Sequence, residues 1–290
     1  MNRRTWLALL IIALGASGAT PSDLPKRYLD PVFGRVSVTR NLVYGESALP
    51  SGERRNLLLD LYQPEGDRAA RRAAIVWIHG GGFFRGSKSD KQMSTLARNF
   101  AQRGYLTVSI DYRLERKDKN DPNLRQPIMD AMFDARAAVR WLRARAGEYK
   151  IDPARIAIGG GSAGAFTSLL VAYDAGEGTS GNSDYPSTVS AVVDFWGGLP
   201  DVKVMKTGAP PLLIIHGTAD AVVPFRFAVD LSRQARAVGI PCEFHPLNGQ
   251  GHAAWGKMKD YIAWIAPFLY EHVIFQNEAA INSIPFQKRP

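Results

Sequence analysis

The stretch Arg155-Ile156-Ala157-Ile158-Gly159-Gly160-Gly161-Ser162-Ala163-Gly164-Ala165, continued by Phe166 to Tyr173, decides how the chain is read. The short apolar run ending at Ile158 has the pattern of a strand buried on both faces, and the residues from Phe166 onward have that of a helix. Between them Gly160 and Gly164 flank Ser162 in the order G-x-S-x-G. A strand that turns this sharply into a helix holds its central residue in a strained conformation and needs small neighbours, which lifts the serine oxygen clear of the backbone. The Ala163 amide then falls at the helix N-terminus, where developing negative charge is stabilised. Two other readings of these glycines stay open. One is a plain Gly-Ser turn; the other is a G-x-G-x-x-G dinucleotide fingerprint from Gly159, Gly161 and Gly164. That fingerprint wants an acidic residue ending the next strand about 20 residues on, and the nearest candidate, Asp184, sits in a polar loop.

Outward from this element, near-continuous apolar runs recur at Ala74 to Ile78, Tyr105 to Ile110, Ala191 to Phe195 and Leu212 to Ile215. They predict central strands of a mostly parallel sheet with helices on both faces, an α/β class. Asp130 to Arg145 places Ala131, Ala135, Ala138, Val139 and Leu142 on one face and Arg136, Arg140 and Arg143 on another, an amphipathic helix. Further helical patterns cover Phe225 to Ala237 and Met258 to His272, with Pro267 expected to kink the latter. Val36 to Val43 and Asn56 to Tyr62 alternate and predict an antiparallel entry hairpin. Asp174 to Ser187 reads as a surface loop.

Ligand chemistry gathers at the carboxyl ends of such strands. After Ile78 comes His79-Gly80-Gly81-Gly82-Phe83, whose unobstructed N–H groups suit an oxyanion hole. His79 itself reads as a brace for this loop. A serine hydroxyl needs a base, and the base an orienting carboxylate. After Ile215 comes His216-Gly217-Thr218-Ala219-Asp220, and after the strand Glu243 to Pro246 comes Gly249-Gln250-Gly251-His252. The order Ser162, Asp220, His252 is the one such a fold requires. Asp194, near the end of another strand, is the alternative acid.

These stretches, with Asp111-Tyr112-Arg113-Leu114 and Ile151-Asp152-Pro153-Ala154-Arg155-Ile156, resemble the α/β-hydrolase superfamily. Within it they resemble the HGGG-type esterases related to hormone-sensitive lipase and to bacterial feruloyl and acetylxylan esterases. The resemblance covers roughly residues 56–273. It implies an α/β-hydrolase fold, with Gly81, Gly82 and Ala163 as oxyanion donors. Two positions depart from it: Gly161, where relatives often carry an acid, and Ala165, where glycine is common.

The whole chain has 290 residues, 46% of them apolar and 22% charged, ordinary for a globular protein. Arg3 and Arg4 precede a short apolar run, Trp6 to Leu14, and then small residues. This pattern predicts a signal peptide over 1–19, hence a secreted or periplasmic protein; a membrane anchor would need roughly 20 apolar residues. The expected hydrolase domain then spans 20–274, with a C-terminal tail over 275–290 that carries no readable pattern. The formal charge of +9 comes from scattered residues with no zinc-finger or basic-helix pattern, which argues against nucleic acid as a partner. Cys242 is the single cysteine, so no intrachain disulfide can form. The histidines lack metal-site spacing, so neither a metal nor an organic cofactor is expected.

The reading is therefore a serine carboxylic ester hydrolase with a small-molecule or saccharide-linked ester as substrate, and Phe83, Phe84, Tyr112 and Trp196 as candidate pocket residues. Amide hydrolysis on the same fold, or a catalytically silent binding module, are the alternatives. The segment Gly197 to Pro210 is too short and polar for a helical cap, which predicts no substantial cap domain and a preference for short or compact aromatic acyl groups. Only Asp174 to Ser187 and Arg116 to Arg125 could overhang the site.

Overall fold

The computed structural model describes residues 26–48 and 52–275. The segments assigned to a signal peptide and to a C-terminal tail lie outside the described residues, apart from position 275. Eight strands form one sheet: β1 (Val36–Ala48), β2 (Arg54–Pro64), β3 (Arg72–Ile78), β4 (Leu106–Ile110), β5 (Ile151–Gly161), β6 (Ala191–Phe195), β7 (Leu212–Gly217) and β8 (Cys242–Leu247). Their order is β1-β2-β4-β3-β5-β6-β7-β8. β1 and β2 pair antiparallel, as does β2 with β4, and the rest pair parallel.

The helices are α1 (Lys91–Gln102), α2 (Arg125–Ala144), the single turn α3 (Ala146–Tyr149), α4 (Ala163–Tyr173), α5 (Arg226–Ala237) and α6 (Met258–Leu269). Buried residues of α2, α4 and α5 pack on one face of the sheet, and those of α1 and α6 on the other. Strands sandwiched in this way are apolar on both sides, which is why β3, β4, β6 and β7 are buried along their whole length. This is the α/β-hydrolase architecture. Between β6 and β7 only a 3₁₀ turn, Val202–Val204, breaks the loop. Pro267 lies inside α6, and a π-helical segment, Tyr270–Phe275, extends that helix.

Two features depart from the sequence reading. α1 was not foreseen, although Met93, Leu96, Ala97, Phe100 and Ala101 recur at helical spacing and are buried. In α2, the arginine-bearing face is not solvated: Arg136 is 3% and Arg140 is 1% exposed. The loop 174–187 covers them. Arg136 donates to the Asp174 carbonyl and to Ser187 Oγ, and Arg140 to the carbonyls of Gly181 and Glu177. Buried guanidinium groups require such acceptors, so the covering loop turns a polar face into an internal one.

Candidate active site

In-register parallel pairing brings five loops to one edge of the sheet. Ile78 lies opposite Gly160, Gly161 opposite Phe195, and Ile215 opposite His245. The turns after β3, β5, β6, β7 and β8 therefore emerge together.

Ser162 occupies the sharp turn at φ +54°, ψ −117°, outside the ordinary regions for a non-glycine residue. Its N–H donates to the Phe195 carbonyl, and its own carbonyl accepts from Ala165 and Phe166 at the start of α4. The strand-to-helix angle demands glycine at 164, because a Cβ there would overlap the Ile78 carbonyl. At Gly161 a Cβ would stand 2.7 Å from Cζ2 of Trp255. That indole leaves no room for a side chain before the serine.

Ser162 Oγ and His252 Nε2 are 2.9 Å apart, and His252 Nδ1 is 2.7 Å from Asp220 Oδ2. The other Asp220 oxygen accepts from the N–H groups of Val222 and Val223. Because those amides occupy Oδ1, Oδ2 is left to the imidazole, with His216 Nε2 also 3.4 Å from it. The neutral tautomer consistent with this geometry carries its proton on Nδ1 and leaves Nε2 to accept from serine. The acid and base loops are tied together: Ala219 N–H donates to the Gln250 carbonyl, and Gly249 N–H to Thr218 Oγ1. His216 is wholly buried and lies 2.9 Å from the Val223 carbonyl through Nε2; burial depresses its pKa.

The loop after β3 turns at Gly81, φ +107°, where a Cβ would overlap the Arg85 carbonyl. The N–H groups of Gly81, Gly82 and Ala163 meet no acceptor among the described residues. His79 Nδ1 lies 2.7 Å from the Gly80 carbonyl. Its ring stacks on Tyr112 at 4.4 Å, and the Tyr112 hydroxyl donates to the His79 carbonyl. Burial lowers the His79 pKa, so the ring braces the loop in its neutral form.

A cavity of about 1110 Å³ opens over the serine, lined by Gly80 to Gly82, Phe84, Ser162, Trp196, His252 and Trp255 among others. Of the four pocket residues expected from sequence, Phe84 and Trp196 line it. Phe83 and Tyr112 do not: both are buried beneath the loop, ring against ring at 6.3 Å. The positive φ of Phe83 turns its ring inward and leaves Phe84 facing out. Of the two segments able to overhang, 116–124 reaches the lining through Arg116, Asp118, Lys119 and Leu124. Segment 174–187 is held against α2. Trp255, Val222 and Met93 were missed; only the position of Trp255, three residues after His252, hinted at its place.

Asp194 is fully buried and makes no hydrogen bond or ion pair with His252 among the described residues. Its Oδ1 accepts from Gly197 N–H, Oδ2 has no partner, and burial pushes its pKa up to about 7. The folded state therefore holds a proton that the unfolded chain releases near pH 4. Stability must fall as pH rises from about 4 to 7, by up to roughly 4 kcal/mol from this group. Asp194→Asn keeps the acceptor for Gly197 and removes the ionisation. Its melting temperature relative to the parent is expected to rise between pH 5 and pH 8, as read by thermal unfolding. A constant difference would refute the buried neutral carboxyl.

The fold, with a serine, a histidine and an aspartate in hydrogen-bonded series at one sheet edge, defines the chain as an α/β-hydrolase. The BD-FAE family model matches residues 59–209, and the chain belongs to that family. Esterase LipC of Mycobacterium tuberculosis is 26% identical over 254 residues, covering 73% of this chain and 59% of that protein. The probable carboxylic ester hydrolase LipM of the same organism is 28% identical over 275 residues, covering 82% and 60%. The chain thus spans about three fifths of the length of these relatives. Among solved structures, Thermogutta terrifontis esterase 2 phosphorylated by paraoxon superposes with a TM-score of 0.68 at 26% identity, covering 82% of this chain and 95% of that one. Its propionate-bound form gives 0.65 and 26%, with 86% and 96% covered. Among the described residues, no helix is long and apolar enough to cross a membrane, and no group of three or more His, Cys, Asp and Glu could hold a metal ion.

Proposed function

We propose that the chain is a serine carboxylic ester hydrolase. The observation that carries this reading is the continuous series Asp220–His252–Ser162, with hydrogen-bond distances of 2.7 and 2.9 Å opening onto a cavity. Ser162 attacks the ester carbonyl while His252 takes its proton through Nε2. Asp220 holds the imidazole and stabilises the charged form that results. The tetrahedral oxyanion meets the amides of Gly81, Gly82 and Ala163. His252 returns the proton to the leaving alcohol, and water attacks the acyl-enzyme with the same histidine as base. No step requires a cofactor. The chain acts outside the cytoplasm, secreted or periplasmic, on a small-molecule or saccharide-linked ester.

Short or compact acyl groups fit the site best. The cavity lining carries the charged residues Arg85, Asp90, Arg116, Asp118 and Lys119, and no helical insertion shields an extended chain among the described residues. Each buried methylene is worth about 0.8 kcal/mol, a gain lost once the chain leaves apolar surface. Similar esterase structures hold propionate and butyrate. A series of 4-nitrophenyl esters, with arylformamides beside them, tests the reading. Butyryl turnover above palmitoyl turnover is expected, both in soluble form. The reverse order refutes the size preference, and turnover of the formamides alone refutes the ester reading.

A further inference from the structure

Trp196 leaves β6 at φ +47°, a conformation that a bulky L-residue keeps only when its surroundings impose it. Both sides of the turn are fixed: Trp196 N–H donates to the Ile215 carbonyl at 2.8 Å, and Gly197 N–H to Asp194 Oδ1 at 2.7 Å. The backbone is thus strained at one point, and the consequence is where the indole goes. It is 1% exposed, set edge to face against Trp255 at 4.6 Å and 6.4 Å from the His252 ring. Packing of this kind leaves the ring little freedom to turn.

The direction of its polar atom is informative. Nε1 lies 3.6 Å from the point where a Cβ on Gly161 would stand, beside the nucleophile, and Trp196, Gly161 and Ser162 all line the cavity. Nε1 has no hydrogen-bond acceptor among the described residues and is not fully occluded, and its residue lines the cavity. A Cβ at position 161 would stand 2.7 Å from Cζ2 of Trp255, so the Trp255 ring closes the Gly161 side of the indole and an acceptor for Nε1 has to come from the cavity.

Buried donors are almost always satisfied, by protein or by water. A substrate that expels water from this lobe must supply an acceptor, or leave the N–H unpaired at a cost. We infer that Trp196 is a specificity-determining residue whose indole N–H donates to an ether or hydroxyl oxygen close to the scissile carbonyl. The substrate class is therefore an oxygen-substituted ester, with that oxygen on either the acyl or the alcohol side. The inference rests on the ester hydrolase reading for its kinetic test, but not for its binding test.

The kinetic test uses isosteric pairs. On the acyl side these are 4-nitrophenyl methoxyacetate and 4-nitrophenyl butyrate; on the alcohol side, 2-methoxyethyl acetate and butyl acetate. The ratio of kcat/KM within each pair cancels active-site damage common to both members. In Trp196→Phe, which keeps an aromatic ring and loses the donor, the ratio of the oxygen-bearing to the alkyl ester is expected to fall about five- to tenfold in one pair. The pair affected identifies the side. Unchanged ratios in both pairs, in a folded variant, would overturn the inference.

The binding test needs no turnover. Each tryptophan contributes one indole N–H signal in a proton–nitrogen spectrum, and the one missing in Trp196→Phe belongs to Trp196. Methoxyacetamide and 2-methoxyethanol are the oxygen-bearing probes, with butyramide and butanol as their alkyl counterparts. At least one oxygen-bearing probe is expected to move the Trp196 signal downfield beyond its counterpart. Shifts that do not differ within either pair would overturn the inference. Such a downfield shift in a protein that hydrolyses no ester would keep the indole N–H as a ligand donor and sink the ester reading together with the substrate class that rests on it.

Discussion

Ser162→Ala is expected to lower kcat on 4-nitrophenyl butyrate by about 10⁴- to 10⁶-fold, the range seen when a triad serine is removed. The size follows from chemistry rather than packing. Without the hydroxyl there is no acyl-enzyme, and what remains is the contribution of the oxyanion donors and of substrate placement to direct attack by water. The fold should survive. Among the described residues Ser162 Oγ makes its hydrogen bond only to His252, and the backbone contacts that hold the turn, from Ser162 N–H to Phe195 and from Ala165 and Phe166 to the Ser162 carbonyl, do not involve the side chain. A similar esterase is known phosphorylated by paraoxon. If Ser162 is the nucleophile, paraoxon should inactivate the parent protein and add a single phosphoryl adduct by intact mass, with the alanine variant left unmodified. A folded variant that keeps a tenth of the activity would end the proposal that this serine is the nucleophile.

Much of this site was legible because its parts are short-range. A glycine-serine-glycine turn between a buried strand and a helix also reads as a plain turn when taken alone, and it is the glycines at 80 to 82 after an apolar strand, with their exposed backbone donors, that favour the raised serine. Strand order and register were not needed to see them; only the expectation that parallel strands end on one edge. What escaped notice depends on long-range packing. Phe83 and Phe84 are adjacent and alike in sequence, and the φ of +67° at Phe83 sends one ring inward and the other out. Arg136 and Arg140 carry the same composition as a solvated helix face, and only the covering loop makes them internal. Trp255 fills the space of an absent side chain at Gly161, a relation between residues about ninety positions apart that no local pattern encodes. Helix α1 is the exception, since its apolar spacing was present in the sequence and was passed over.

The choice between two buried aspartates gives the second large effect. Asp220→Asn is expected to lower kcat about 10⁴-fold, as loss of the orienting carboxylate does in comparable triads. Asp194→Asn should cost less than tenfold at neutral pH. The reason lies in which atoms each carboxylate satisfies. Asp220 Oδ1 accepts from Val222 at 2.8 Å and Val223 at 2.9 Å, two donors that an asparagine can meet only with its carbonyl oxygen. Its NH₂ group must then face His252 Nδ1, 2.7 Å away in the parent. Two donors cannot point at each other, so the imidazole moves its proton to Nε2 and presents N–H, not a lone pair, to Ser162. The base is thereby lost without any change of shape, and melting temperature should be nearly unchanged. Asp194 offers no such leverage. It is hydrogen-bonded to neither His252 nor Ser162 among the described residues, and its Oδ1 bond to Gly197 survives as an amide oxygen. Steady-state kinetics of both variants on one soluble ester decide the matter, and the opposite ranking would transfer the role of acid from the β7 loop to β6.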